Sequence, residues 1–101
     1  MSVIDLTGTA AGLPQAWSSL LLGRVGTAAV KVLRMDGTPV AEESHGADEA
    51  LLVLDGRMEL VVDGTPVSVR AGELYLVAAG TAHAVAPGSR GTLVIVELPE
   101  S

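Results

Sequence analysis

The chain has 101 residues, twelve acidic side chains against six Lys plus Arg, a formal net charge of −6 and no cysteine. That length fits one hydrophobic core, not two. The scattered basic residues give no phosphate-neutralising face, so nucleic acid and an acidic membrane surface are excluded as partners, and the lack of cysteine excludes disulfides and thiolate chemistry.

Met1-Ser2-Val3-Ile4-Asp5 has neither a basic stretch nor an apolar leader, and a cytoplasmic location is expected. Residues 5 to 16 hold one short helix or an irregular arm, limited by Pro14. Ser18 to Val25 reads as a strand. With it, residues 1–24 form an N-terminal arm and edge strand, and residues 25–101 form the body of a single domain. No helical pattern follows residue 25. Strands are expected at Ala28–Met35, Glu49–Leu54, Arg57–Val62, Pro66–Val69, Leu74–Val77, His83–Ala86 and Thr92–Leu98. Asp-Gly occurs three times, at Asp36-Gly37, Asp55-Gly56 and Asp63-Gly64. Each is expected to make a tight hairpin turn, since both positions tolerate positive φ. Pro87 to Gly91 reads as the loop before the last strand. Short strands at even spacing with turns between them predict an all-β sandwich or barrel. Apolar runs such as Ala50 to Leu54 are far too short to span a bilayer.

The core materials are unusual: no Phe, one Trp, one Tyr, and 49% hydrophobic residues dominated by Val, Leu and Ala. Small and branched side chains suit a narrow barrel, and the shortage of bulky groups leaves room for a pocket. Tyr75 is expected to pack in the core and Arg57 to face solvent. Lys31 and Arg34 differ in parity, so only one of them can face a pocket. Trp17 reads as a plug or a dimer contact.

The chain has only two histidines, His45 and His83. Glu43 and His45 share one face of an extended segment, because side chains alternate with period two. Glu49 heads the following strand and can fold back beside them. His83 comes from a distant strand. Singly, each has an ordinary reading: Glu43 as part of a solvated edge with Glu42, His45 in an exposed loop, His83 as a satisfied core histidine. Jointly, two imidazoles and two carboxylates on separate segments make a donor set for a first-row divalent cation.

The spacing of these residues resembles the cupin family. Gly37, Glu43-Ser44-His45, Glu49 and Gly56 fall at the glycine, His-x-His, glutamate and glycine of the first cupin motif. Glu43 stands where the first histidine would be. Gly72, Ala78-Ala79-Gly80, His83 and Pro87 fall at the glycine, Pro-x-Gly, histidine and asparagine of the second, with Ala78 and Pro87 as departures. The resemblance covers roughly residues 25 to 98. It implies a cupin-type jelly-roll β-barrel holding one divalent metal ion through Glu43, His45, Glu49 and His83. Mn, Fe, Ni or Zn fit that set, and the extra carboxylate shifts the expectation toward Mn or Fe. It further implies pairing into a homodimer, for which Trp17 and the apolar Ser19 to Leu22 stretch suit the contact. Three functional readings follow: a metal-dependent small-molecule enzyme of the dioxygenase or isomerase type, a non-catalytic barrel that binds a small-molecule ligand, and a barrel that has lost its metal. The fold alone does not choose among them.

Overall fold

A computed structural model describes residues 3–100 of the chain. Among them lie one short helix and eight strands. The helix α1 (Leu6–Ala11) follows Asp5, whose carboxylate accepts from the Gly8 N–H at 3.0 Å and caps the first turn. The strands are β1 (Leu20–Val25), β2 (Ala28–Asp36), β3 (Val40–Glu43), β4 (Glu49–Val62), β5 (Thr65–Arg70), β6 (Leu74–Val77), β7 (His83–Val85) and β8 (Arg90–Glu97). All pairings are antiparallel, and the order β1-β2-β8-β4-β7-β3 forms one curled sheet with β5 and β6 also on β4.

β4 organises this barrel because it belongs to both of its walls. Its first half pairs with β8 and β6, and its second half with β5 and β7. The sequence predicted two strands here, split by a hairpin at Asp55-Gly56. The chain instead runs straight through as one 14-residue strand. Asp55-Gly56 marks a β-bulge, where the register against β8 shifts between Val53 and Asp55. The bulge changes parity. Glu49, Leu51 and Val53 are buried before it, and Met58, Leu60 and Val62 after it. One extra residue thus lets a single strand present its apolar side to the interior along both halves.

The other two Asp-Gly pairs divide. Asp63-Gly64 is the expected two-residue hairpin between β4 and β5, with φ of 48° and 79° and Val62 opposite Thr65. That is type I′ geometry. Asp36-Gly37 is not a hairpin, since β3 pairs with β7 rather than β2. The Asp36 carboxylate instead accepts from the Thr38 N–H and hydroxyl at 3.1 and 2.6 Å. Arg90 and Gly91, expected in a loop, open β8.

The interior core gathers Leu33, Met35, Leu51, Val53, Met58, Leu60 and Leu93. Outside the sheet, α1 covers a smaller cluster of Ala10, Val32 and Val94. Tyr75 packs half-buried against the interior core, and the Arg57 side chain is 64% exposed, both as expected.

At the bulge, two backbones meet with no room for a side chain. A Cβ on Gly91 would lie 2.1 Å from the Asp55 carbonyl oxygen, and φ there is 112°. The Asp55 carboxylate locks the crossing by accepting from the Thr92 N–H at 2.9 Å and its hydroxyl at 3.1 Å. Gly91→Ala should therefore destabilise the fold by about 3 kcal/mol, from strain plus overpacking. Gly23→Ala, where a Cβ meets nothing within 4 Å, should change stability by less than about 1 kcal/mol. Urea denaturation midpoints of the two variants check this, and equal midpoints would contradict it.

Candidate metal centre

His83 is the best-held side chain of the site. It lies at the start of β7, 5% exposed, paired across from Val62 of β4 and Glu43 of β3. Residues directly opposite in an antiparallel ladder share a face, and Val62 is buried, so all three side chains point inward. His83 Nδ1 lies 2.9 Å from the Thr81 carbonyl oxygen. A carbonyl only accepts, so Nδ1 carries the proton and Nε2 is turned into the barrel. Nε2 meets Glu49 Oε1 at 3.2 Å, with both side chains under a tenth exposed. A neutral imidazole Nε2 and a carboxylate oxygen are both acceptors. This contact needs either a shared proton or a cation between them.

His45 reaches the same place from a loop that is stapled to the second motif. Its carbonyl accepts from Gly80 N–H at 2.8 Å, and the Asp48 carboxylate accepts from Ala79 N–H at 2.8 Å. These bonds hold the 44–48 loop against the turn that leads into His83. The His45 ring centroid is 5.5 Å from that of His83. Its Nε2 is 3.4 Å from Glu43 Oε1 and its Nδ1 3.4 Å from Glu100 Oε1. Glu43, His45 and His83 offer ligand atoms that all lie within 4.8 Å of one another. Glu49 stands outside that group and joins it only through His83.

Two donors on one first-row ion, each bonded at about 2.0–2.2 Å, sit roughly 3 Å apart. The Glu43–His45 separation of 3.4 Å and the Glu49–His83 separation of 3.2 Å fit that spacing. The donor chemistry fits as well: imidazole and carboxylate are ligands for Mn, Fe, Ni and Zn alike. The structure thus brings all four sequence-predicted residues to one end of the barrel, three as a group and Glu49 on its flank.

Several neighbours were not foreseen. Glu100 holds His45 and accepts from the Gly46 N–H at 2.7 Å; nothing in the sequence pattern marks a residue so far from the motifs. Of the two parity rivals, Lys31 faces the site, ion-paired with Glu97, and lines an outer cavity of ≈ 500 Å³ with His45 and Glu49. Arg34 turns the other way and donates to the Leu13 carbonyl at 3.1 Å. Trp17 is a plug: its indole packs against the interior core.

Residues 32–98 match the Cupin domain family. The chain is a member of the cupin family. No curated protein matches it. Solved structures do, at the level of fold. A cupin-2 domain containing protein from Shewanella frigidimarina superposes with a TM-score of 0.86 at 20% identity, over 96% of this chain and 95% of that one. A protein from Neisseria meningitidis gives 0.83 at 22% identity, over 97% and 100%. A conserved protein of unknown function from Streptococcus pyogenes gives 0.78 at 23% identity, over 99% and 90%. No helix among the described residues of this cupin is long and apolar enough to cross a membrane.

The electrostatics make the metal-free site sensitive to pH. Burial, the strongest influence on Glu49, pushes its pKa above the ordinary 4.5, against the pull of His83 and His45. Burial would lower His45, but the hydrogen bond it donates to Glu43 and the charges of Glu43, Glu49 and Glu100 outweigh it, and its pKa rises above 6.5. A raised folded-state pKa means that the folded protein holds its proton more tightly than the unfolded chain. The associated stability is fully present below the unfolded pKa and is lost as pH rises through the folded one. Metal-free protein should lose stability upward from about pH 4.5 through the Glu49 range, and again above about pH 6.5 as His45 titrates. Glu49→Gln should flatten the lower limb and, by removing one of the charges that raise His45, shrink the upper one without abolishing it. Thermal midpoints across that range, in chelator, check it; an unchanged lower limb would contradict the assignment.

Proposed function

We propose that this cupin binds one divalent metal ion through His45, His83 and Glu49, with Glu43 as a fourth ligand, and acts on a small oxygen-bearing molecule. The observation that carries this reading is the Thr81–His83–Glu49 chain. A backbone carbonyl fixes the imidazole tautomer, which aims a bare nitrogen at a buried carboxylate. Ligand histidines in metal sites are oriented in this way by the partner of their other nitrogen. The bound metal would polarise a substrate oxygen as a Lewis acid.

The reaction class that fits is a dioxygenase or isomerase type of small-molecule chemistry. Glu43 supports it in a second way. Its side chain is half exposed, so it would be free to take a proton from a bound substrate, the work of a general base. Glu49 cannot do this without exposing an unpaired buried imidazole. A non-catalytic ligand-binding barrel is the rival reading, favoured by Glu43 in place of a third imidazole.

Reconstitution with Mn, Fe, Ni and Zn in turn should give one ion per chain for at least one of them. His83→Ala should weaken that binding by at least about 100-fold, since it removes a ligand together with the anchor for Glu49. Stoichiometric and equally tight metal in His83→Ala would overturn the reading.

We also propose that the chain forms a homodimer. Leu20 and Leu21 of the edge strand β1 are 42% and 46% exposed, and an uncovered apolar edge favours pairing with a second copy. Light scattering at micromolar concentration should return twice the 10.2 kDa chain mass; a monomer mass would count against it.

A further inference from the structure

The four candidate ligands also line an interior cavity of ≈ 260 Å³ whose remaining walls include Leu51, Met58, Leu60, Leu93, Ile95 and Trp17. The register of β2 and β8 sets its two ends apart. Glu49 lies level with Glu97. The Trp17 N–H bonds to the Arg34 carbonyl at 2.9 Å, and Arg34 lies opposite Thr92. Ile95 and Leu93 fall between those levels. One end of the cavity therefore carries the polar cluster, and the indole stands toward the other.

Trp17 is held there against its own preference. Its φ is 65°, a left-handed conformation that a bulky side chain rarely adopts. Its backbone is tied to Arg34, and its Nε1 donates to Asp36 Oδ1 at 3.0 Å. Strain of this kind persists only where the surroundings enforce it, and it gathers at ligand sites. The one polar atom of the indole is already bonded to Asp36. What the ring offers the cavity is aromatic surface.

We propose that the ligand is a small bidentate oxygen chelator carrying an apolar body of about one ring, its oxygens on the metal and its body between the aliphatic walls and Trp17. The assignment rests on the metal reading above. Three or four protein donors leave an octahedral ion two or three open positions, which suits a two-oxygen head. A cavity of about 150 Å³ lined by aliphatic side chains holds a benzene ring. The ≈ 260 Å³ here has room for one ring plus its head group, and not for two fused rings. Trp17 is then the residue that sets the size and aromatic preference of the ligand.

Trp17 is the only tryptophan of the chain, so its fluorescence reports on this cavity directly in the wild-type protein. Three hydroxamates share one chelating head and differ in body: acetohydroxamate, benzohydroxamate and 2-naphthohydroxamate. Added to the metal-loaded protein, benzohydroxamate should bind at least about tenfold tighter than acetohydroxamate, the gain expected from burying a ring. It should also change the Trp17 emission. The naphthyl compound should bind no tighter than acetohydroxamate. Equal binding of the first two with unchanged emission overturns the proposal, as does tightest binding by the naphthyl compound, or no binding of any of them. A separate calorimetric titration with the metal ion alone keeps the two failures apart. Metal uptake without discrimination among the hydroxamates overturns the ligand assignment only; no metal uptake overturns the metal reading with it.

Discussion

Glu49 and His83 face each other across 3.2 Å inside a barrel built mostly from Val and Leu. Neither is free to turn away. Glu49 is carried on the first inward position of β4, the strand shared by both walls, and His83 is pinned by the Thr81 carbonyl. A buried carboxylate beside a buried acceptor nitrogen is costly unless something positive stands between them. A proton can fill that place, and so can a dication. The rest of the site follows from this demand. The 44–48 loop is stapled to the turn before β7, which brings His45 and Glu43 to the same point.

The charge balance around the pair favours the dication. Glu43, Glu49, Glu97 and Glu100 gather near two imidazoles, and only Glu97 has a lysine partner, Lys31. In a chain of net charge −6, such a cluster gains from a cation that bulk composition does not supply. The cavity that shares these residues has Leu51, Met58, Leu60 and Leu93 among its other walls, a low-dielectric surround that strengthens any electrostatic contact made there.

Much of this architecture was legible in the chain. The glycine and histidine spacing carried the family, and the alternation of Val and Leu carried the all-β class. The details that were misread share one cause. Asp-Gly is written identically at residues 36, 55 and 63, yet only at 63 do both residues adopt positive φ and close a hairpin. At 55 the Asp side chain bonds to Thr92 on another strand, and the glycine is needed because a second backbone crosses it. At 36 the carboxylate serves Thr38 and Trp17. Thr92 and Trp17 are distant in sequence, so local turn chemistry could not distinguish the three. The same holds for Trp17. Its position beside Pro14 and an apolar strand fits a surface contact or a plug equally well, and only the bonds to Arg34 and Asp36 decide between them. Glu100 was invisible for a simpler reason: it acts through a loop contact that no strand periodicity encodes.

On the metal reading proposed above, a cation takes the place of a proton between buried acceptors. Proton release on metal addition, measured in weak buffer, tests it most directly. Glu49 and His45 both hold protons above their ordinary ranges, and a metal binds only their deprotonated forms. Adding Mn or Zn between about pH 5 and 7 should therefore release roughly one proton or more per ion bound, with the yield falling as pH rises. Stoichiometric metal binding with no proton release across that range would contradict the account.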